Sequence, residues 1–365
     1  MSAREEPIRS PRASPGGDGV RGQREQTIRD VARLAGVSIG TASKAMNASG
    51  RLSAETRAKV LKVAEAIDYR PNSLAQSLHR ARSMTVGILT NDRFGRFTFP
   101  IVAALERRLF DDGVAVFMCN ATDDPEREQR HIDQLLRKRV DGLVVTSRRT
   151  DARAAVEPAV RGLPVVYVFA QADSPHAFSL LPDDEGGARL AVEHLIRLGR
   201  RRIAHVTGPA RFEAVRLREK GWRSALAAAG LAARDRDRRF GRWSEEWGRE
   251  AVRGLFSDPG DAPDALFCGS DQIARGALDA LRDIGLAVPR DVAVVGFDNW
   301  EVMTAGARPP LTSVDMNLDA LGTEAGEALL RMMAGERISG AKRLPCSLVV
   351  RDSCGGAAGE DGERS

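Results

Sequence analysis

The sequence has no run of about 18 apolar residues, so no membrane-spanning helix is expected. Its first residues carry charges and prolines with no apolar stretch behind them, which argues against a secretory signal and for the cytoplasm. Only four cysteines occur in 365 residues, and Cys119, Cys268, Cys346 and Cys354 lack the spacing of a metal site or redox pair. Reduced thiols in a cytoplasmic protein account for them. The five histidines, His79, His131, His176, His194 and His205, show no metal-ligand spacing. There is no Gly-Lys-Ser/Thr phosphate loop. Nor is a dinucleotide fingerprint or a nucleophile elbow expected. These absences count against an enzyme, and no cofactor or metal is expected.

What is present is an uneven charge distribution. Residues 1–83 hold 15 Lys/Arg against 8 Asp/Glu, a net +7, and the remainder sums to −2. A basic head on a near-neutral body suits a polyanion-binding module joined to something else. Residues 1–25 are rich in Arg, Pro, Gly and Ser and too poor in apolar residues to offset the entropy of ordering, so disorder is expected there. They are either the result of an upstream start or a loose DNA-contacting arm, the first being simpler.

From residue 26 the pattern becomes helical. Ile28, Val31, Ala32 and Ala35 form one apolar stripe, Gly36-Val37-Ser38 reads as a turn, and Ala42, Ala45 and Met46 continue on a second short helix. Ser53 has the place of an N-cap for a third, whose apolar face is expected from Val60, Leu61, Val63, Ala64 and Ile67. Arg70-Pro71 ends it. Two helices meeting at a small residue, Ala32, and turning at a glycine, Gly36, fit a helix-turn-helix. The second helix would then lie in the major groove and present Ile39, Gly40, Thr41, Ser43 and Lys44. The polar three can donate to bases or phosphates, and Ile39 can touch a thymine methyl. Thr27 and Asn47, at the ends of the helix pair, complete the expected DNA-contacting set.

From Met84 onward, β-branched runs alternate with amphipathic stretches. The runs are Thr85–Thr90, Val114–Asn120, Gly142–Ser147, Val165–Ala170, Arg202–Gly208, Ala265–Ser270 and Val292–Asp298; helices are expected between them, including one over Asp151–Arg161. Such alternation predicts parallel, doubly wound sheets. The number of units exceeds one sheet, and Ala170–Asp183 is the expected crossover between two lobes. A ligand cleft belongs between the lobes, at the carboxyl ends of the strands.

The segment TIRDVARLAGVSIGTASKAMN, followed by RLSAETRAKVLKVAEAIDYRPNSLAQSL, closely resembles the head of the LacI/GalR repressor family. HVTGPARFEAVRLREKGW, LFCGSDQIARGALDALRDIGLAVPRDVAVVGFDN and PPLTSVDMNLDALG extend the resemblance through the body, so that it covers roughly residues 26–353. It implies an α-helical helix-turn-helix head and an α/β two-lobed sensor like the periplasmic sugar-binding proteins, with strands crossing between lobes more than once. The expected domains are 26–71 for the head, 72–83 for a hinge helix, 84–353 for the sensor and dimerisation domain, and 354–365 for a disordered tail.

The resemblance further implies that the hinge, with Asn72, Ala75 and Leu78, orders on operator DNA in a homodimer, and that Leu78 wedges between base pairs in the minor groove. In the sensor it assigns a small polar effector to Arg216, Asp298 and Trp243, with Phe97 and Phe99 as an opposing wall. Ser270-Asp271 stands where the family often has Asn-Asp, and Phe169 where some members place an aspartate, so this pocket is less polar. Two other readings compete with this one: a solute-binding protein, which has no use for Ile28–Leu78, and a small-molecule enzyme, which turnover by the purified protein would reveal. The hinge assignment predicts that Leu78→Ala folds normally but bends operator DNA less and binds it weakly, as a gel-shift phasing assay will report; wild-type bending in that variant would remove it.

Overall fold

The computed structural model describes residues 26–47, 50–69, 82–156 and 162–356. The hinge positions Asn72, Ala75 and Leu78 lie outside these residues. The chain divides into two compact units, residues 1–81 and 82–365.

The first unit contains three helices, α1 (Ile28–Ala35), α2 (Ile39–Met46) and α3 (Ala54–Ala66). Asp30 accepts hydrogen bonds from the Thr27 amide at 3.1 Å and the Thr27 hydroxyl at 2.7 Å, which closes the first turn of α1. Gly36 ends α1 in the left-handed region at φ 66°, a conformation that a Cβ would strain. The hydroxyls of Ser38 and Ser53 cap α2 and α3 by accepting from the amides of Thr41 and Thr56, both at 3.1 Å. The core is built from small residues: Ala32, Ala35, Ala42, Ala45 and Ala64 pack with Val31 and Val60. Leu61, expected inside, is exposed instead, because the buried stripe of α3 runs through Val60 and Ala64.

The second unit has two six-stranded sheets. In the first lobe β1 (Thr85–Thr90), β2 (Ala115–Asn120), β3 (Gly142–Thr146), β5 (Val165–Val168), β7 (Phe178–Pro182) and β13 (Gly340–Leu344) are ordered β13-β7-β5-β3-β1-β2, all parallel. In the second, β8 (Ile203–Thr207), β9 (Arg238–Phe240), β10 (Ala265–Cys268), β11 (Ala293–Phe297), β12 (Thr312–Asp315) and β14 (Ser347–Val349) are ordered β14-β12-β11-β10-β8-β9, with β14 antiparallel. The helices of the first lobe include α4 (Thr98–Phe110), α5 (Pro125–Arg137) and α11 (Leu318–Met333). Those of the second include α6 (Asp184–Arg197), α7 (Glu213–Ala228), α8 (Glu245–Leu255), α9 (Asp271–Asp283) and the short α10 (Glu301–Thr304). Helices α6 and α7 touch at Gly221, where a Cβ would lie 2.3 Å from the Glu185 carbonyl.

The chain passes between lobes three times: from β7 to α6, from β12 to α11, and from β13 to β14. The expected crossover over Ala170–Asp183 is therefore mostly first-lobe structure, since it contains β6 (Gln171–Ala172) and β7, and only its end crosses. No helix begins at Asp151. Ala152–Arg153 forms a short strand, β4, paired with β6, and the Val156 amide donates to the Tyr167 hydroxyl at 2.7 Å, so this backbone is bonded outward instead of along a helix. The tail was expected to be disordered from residue 354, but Cys354 is buried, and its Sγ lies 3.2 Å from His194 Nε2 and 3.1 Å from Thr312 Oγ1.

His205, on β8, sits fully inside the second lobe. Its ring stacks on Phe267 at 4.7 Å, its Nδ1 donates to the Phe267 carbonyl at 3.0 Å, and burial pushes its pKa down to about 4. The unfolded chain gains a proton as pH falls through about 6.5, whereas the folded chain resists until about 4, so stability falls within that window. Urea titrations at pH 7 and pH 4.5 are expected to show that His205→Phe removes about 2–3 kcal/mol of the wild-type acid loss. Equal losses in both chains would contradict this.

Candidate functional site

Two surfaces carry the expected contacts. In the head, α2 buries Ala42 and Ala45 and turns Ile39, Gly40 and Lys44 outward, with Thr41, Ser43 and Asn47 half-buried. The Thr41 hydroxyl pairs with Ser38 at 2.9 Å, and Ser43 accepts from the Asn47 amide group at 3.3 Å. Capping fixes the entry of the helix, and Ile39 and Lys44 are left exposed on it. Gly36-Val37-Ser38-Ile39-Gly40 matches the letters of a nucleophile elbow, but it joins two helices, and its serine is engaged in capping. Gly17–Gly22 matches the letters of a dinucleotide fingerprint and lies outside the described residues.

In the sensor, the residues that meet at the cleft come from the carboxyl ends of strands and the first turns of helices. From the first lobe, Phe97 stacks on Phe169 with centroids 4.7 Å apart. Phe169 is buried and held at φ 55° just beyond β5, so it is a built wall instead of a polar contact. Phe99 stands elsewhere: it is 58% exposed. Helix α4 starts at Thr98, and each residue turns about 100°, so Phe99 is carried to the side away from Phe97.

The same rotation decides the arginine. Arg216 has a side chain 59% exposed and pairs with Glu213 within the first turn of α7, so it does not reach the cleft. Arg218, two residues on, has a side chain only 5% exposed. Its Nε donates to Asp184 at 2.8 Å, its Nη1 donates to the Gly269 carbonyl at 2.5 Å and lies 3.8 Å from Asp298, and its guanidinium carbon lies 3.6 Å from the centre of the Phe297 ring. Trp243 packs across Gly208 with its ring 6.0 Å from the same guanidinium. Asp298 follows β11 at φ 108° and also accepts from the Arg96 guanidinium. Burial raises its pKa, opposed by Arg96 and Arg218.

Asp271 and Ser270 hold the wall together. Ser270 caps α9 through the Ile273 amide at 3.3 Å. Asp271 accepts from Ser313 Oγ at 2.5 Å and the Trp300 amide at 2.7 Å, tying α9 to β12 and to the turn after β11. Burial, and then the neighbouring Asp298 carboxylate, push its carboxyl up to about 8. The residues missed at the cleft are Arg96, Asp184, Arg218 and Trp300. Arg218 was readable: with Val215 and Trp222 it falls on the buried stripe of α7. Among the described residues no cluster suited to a metal ion occurs.

Removing Arg218 leaves the buried Asp184 carboxylate without its bonded cation and Asp298 with Arg96 alone. Arg218→Met is therefore expected to lower the unfolding free energy by about 3–5 kcal/mol, whereas Arg216→Ala changes it by less than about 0.5 kcal/mol. Chemical denaturation of both variants checks this; similar losses would contradict the arrangement.

Comparison with known proteins gives matches in both the head and the sensor. Residues 27–72 match the model of bacterial regulatory proteins of the lacI family, and residues 192–354 match a periplasmic binding protein-like domain. The ribose operon repressor of Escherichia coli K12 is 35% identical over 309 residues, 83% of this chain and 92% of that protein. The lactose operon repressor of the same organism is 33% identical over 330 residues, 89% of each. A lac repressor dimer bound to operator and the anti-inducer ONPF superposes with a TM-score of 0.74 at 31% identity, covering 91% of this chain and 99% of that one. With the head, the two-lobed body and this extent of identity in agreement, the chain belongs to the LacI family.

Proposed function

We propose that this chain is a cytoplasmic transcriptional repressor that binds a palindromic operator as a homodimer. A small polar effector, sugar-like or a related metabolite, controls it from the cleft between the lobes, and the chain works by binding instead of by turnover. The observation that carries this reading is that Asp298, held beside Arg218 in one lobe, meets Arg96 of the other, whose guanidinium lies by the Phe97–Phe169 wall. A fixed donor fork, a carboxylate acceptor and an aromatic face are what a polyhydroxylated ligand requires. The outward face of α2 supplies the DNA-reading surface, with Thr27, Ile39, Gly40, Thr41, Ser43, Lys44 and Asn47 as its contacts. The relatives named above are operon repressors.

Support for pairing of two chains comes from β2, an edge strand that leaves Phe117 and Met118 52% and 45% exposed, close in sequence to the exposed Phe110. An apolar strand edge of this kind needs cover. A ligand touching both lobes favours one angle between them. In a dimer, that angle changes the spacing of the points where the two heads are attached. The effector can shift this equilibrium only through a difference in affinity for the two arrangements.

Genomic fragments captured by the purified full chain will supply the operator. A full palindrome is expected to bind much more tightly than its half-site, and the affinity to fall steeply as salt rises because basic side chains displace counterions. Arg218→Lys and Asp298→Asn are each expected to leave an operator affinity that the effector no longer changes. Equal affinity for half-site and palindrome, or an undiminished response in both variants, would overturn the reading.

A further inference from the structure

The loop between β1 and α4 is built around a buried carboxylate. Asp92 accepts from the amides of Phe94 at 3.2 Å, Gly95 at 3.1 Å, Phe97 at 3.2 Å and Thr98 at 3.2 Å. Gly95 takes φ 69°, which turns the chain so that Arg96 points across the cleft. The Arg96 guanidinium donates to Asp298 and, at 3.2 Å, to Gln272 Oε1, both second-lobe residues. It also lies 4.8 Å from the Phe97 ring of its own lobe and 4.5 Å from the Trp300 ring of the other. Its Nε is buried and has no hydrogen-bond partner among the described residues. Holding a long arginine in one rotamer costs side-chain entropy, so four amide hydrogen bonds to Asp92, an ion pair and two rings represent a prepared seat.

We propose that Arg96 is a tethered occupant of the effector cleft: in the ligand-free chain it fastens the lobes together through Asp298, and the effector acts by replacing it there. The proposal rests on the cleft being the effector site. Asp298 is then already satisfied when a ligand arrives. A ligand gains contact with both lobes only if it brings donors to Asp298 and Gln272, a face to Trp300, and an acceptor for the released guanidinium. Adjacent hydroxyls on a compact ring meet all of these conditions; a purely apolar or purely cationic molecule does not. Arg96 thereby sets both the rest position of the sensor and the chemistry able to disturb it. A second interlobe contact, the Glu213 amide donating to Asp151 at 2.7 Å with the Arg149 guanidinium beside that carboxylate at 3.3 Å, is separate from the Arg96 link.

The test uses the full chain without DNA or sugar. Cys119→Ser removes the half-buried thiol, and nitroxides at Lys138→Cys and Arg253→Cys mark the two lobes at exposed positions. Labelled chain is diluted with unlabelled chain, and double electron-electron resonance reads the separation within one chain. The expected result is a single narrow distribution for wild type and a broad one shifted to longer separations for Arg96→Ala. Millimolar ethylguanidinium should narrow it again by refilling the vacated seat. Asp298→Asn should open the lobes similarly but ignore ethylguanidinium, and Arg96→Lys should fall between. An unchanged distribution in Arg96→Ala, or broadening that ethylguanidinium leaves in place in a chain with a native circular dichroism spectrum, overturns the proposal. If Arg96→Ala fails to fold, the Arg96→Lys and Asp298→Asn distributions decide in its place. Because neither operator nor effector enters the measurement, its failure leaves operator binding untouched, and a chain that ignored every operator fragment would leave this result standing.

Discussion

The guanidinium of Arg218 is the point through which the second lobe is made one body. It draws together the first turn of α6 through Asp184, the end of β10 through the Gly269 carbonyl and the end of β11 through Asp298, and it lies on the Phe297 ring. None of these elements adjoins α7 in sequence. A cation so far from water is tolerable only because its charge is shared by carboxylates, and those carboxylates are tolerable only because of the cation. Asp298 inherits its orientation from this balance. Arg218 makes two close contacts with Asp184, Nε at 2.8 Å and Nη2 at 2.7 Å, and only a longer one with Asp298, which leaves Asp298 able to accept from Arg96 across the cleft.

The parts legible from sequence were those in which neighbours in the chain are also neighbours in space. Alternating β-branched runs and amphipathic stretches gave β1, β2, β3, β5, β8, β10 and β11 and most intervening helices, because both periods are local, whereas β7 and β9 were not read. The head was legible for the same reason: most of its stripes, Gly36 and the cap at Ser53 all act within four residues. The failures share a geometry. Phe99 was paired with Phe97, and the resemblance placed the cleft arginine at Arg216, two residues before the one that is buried. Positions two apart share a face in a strand, but in a helix they point nearly opposite ways. Correct phasing required knowing that α4 begins at Thr98 and that α7 buries Val215, Arg218 and Trp222.

What no local pattern could supply were the partners brought in from afar. Arg96 and Asp298 are 202 residues apart, Arg218 and Asp184 are 34 apart, and each pair is invisible until the sheets are assembled. Asp271 shows the converse. Its letters suggested a ligand contact, yet its two oxygens are occupied by Ser313 and the Trp300 amide, so its place in the motif reflects construction of the cleft wall. The stretch after Asp151 misled for another reason: two-residue strands such as β4 and β6 are too short to carry a period at all.

The three passages of the chain between lobes set a mechanical limit. One linker would act as a ball joint, leaving the lobes free to twist, tilt and swing. Three strands of chain side by side cannot shorten independently, so twist about their length is suppressed and bending about a single axle remains. A sensor built in this way has little freedom to answer different molecules with different postures. Whatever enters, the lobes can only travel further or less far along one arc, which turns varied chemistry into a single reading.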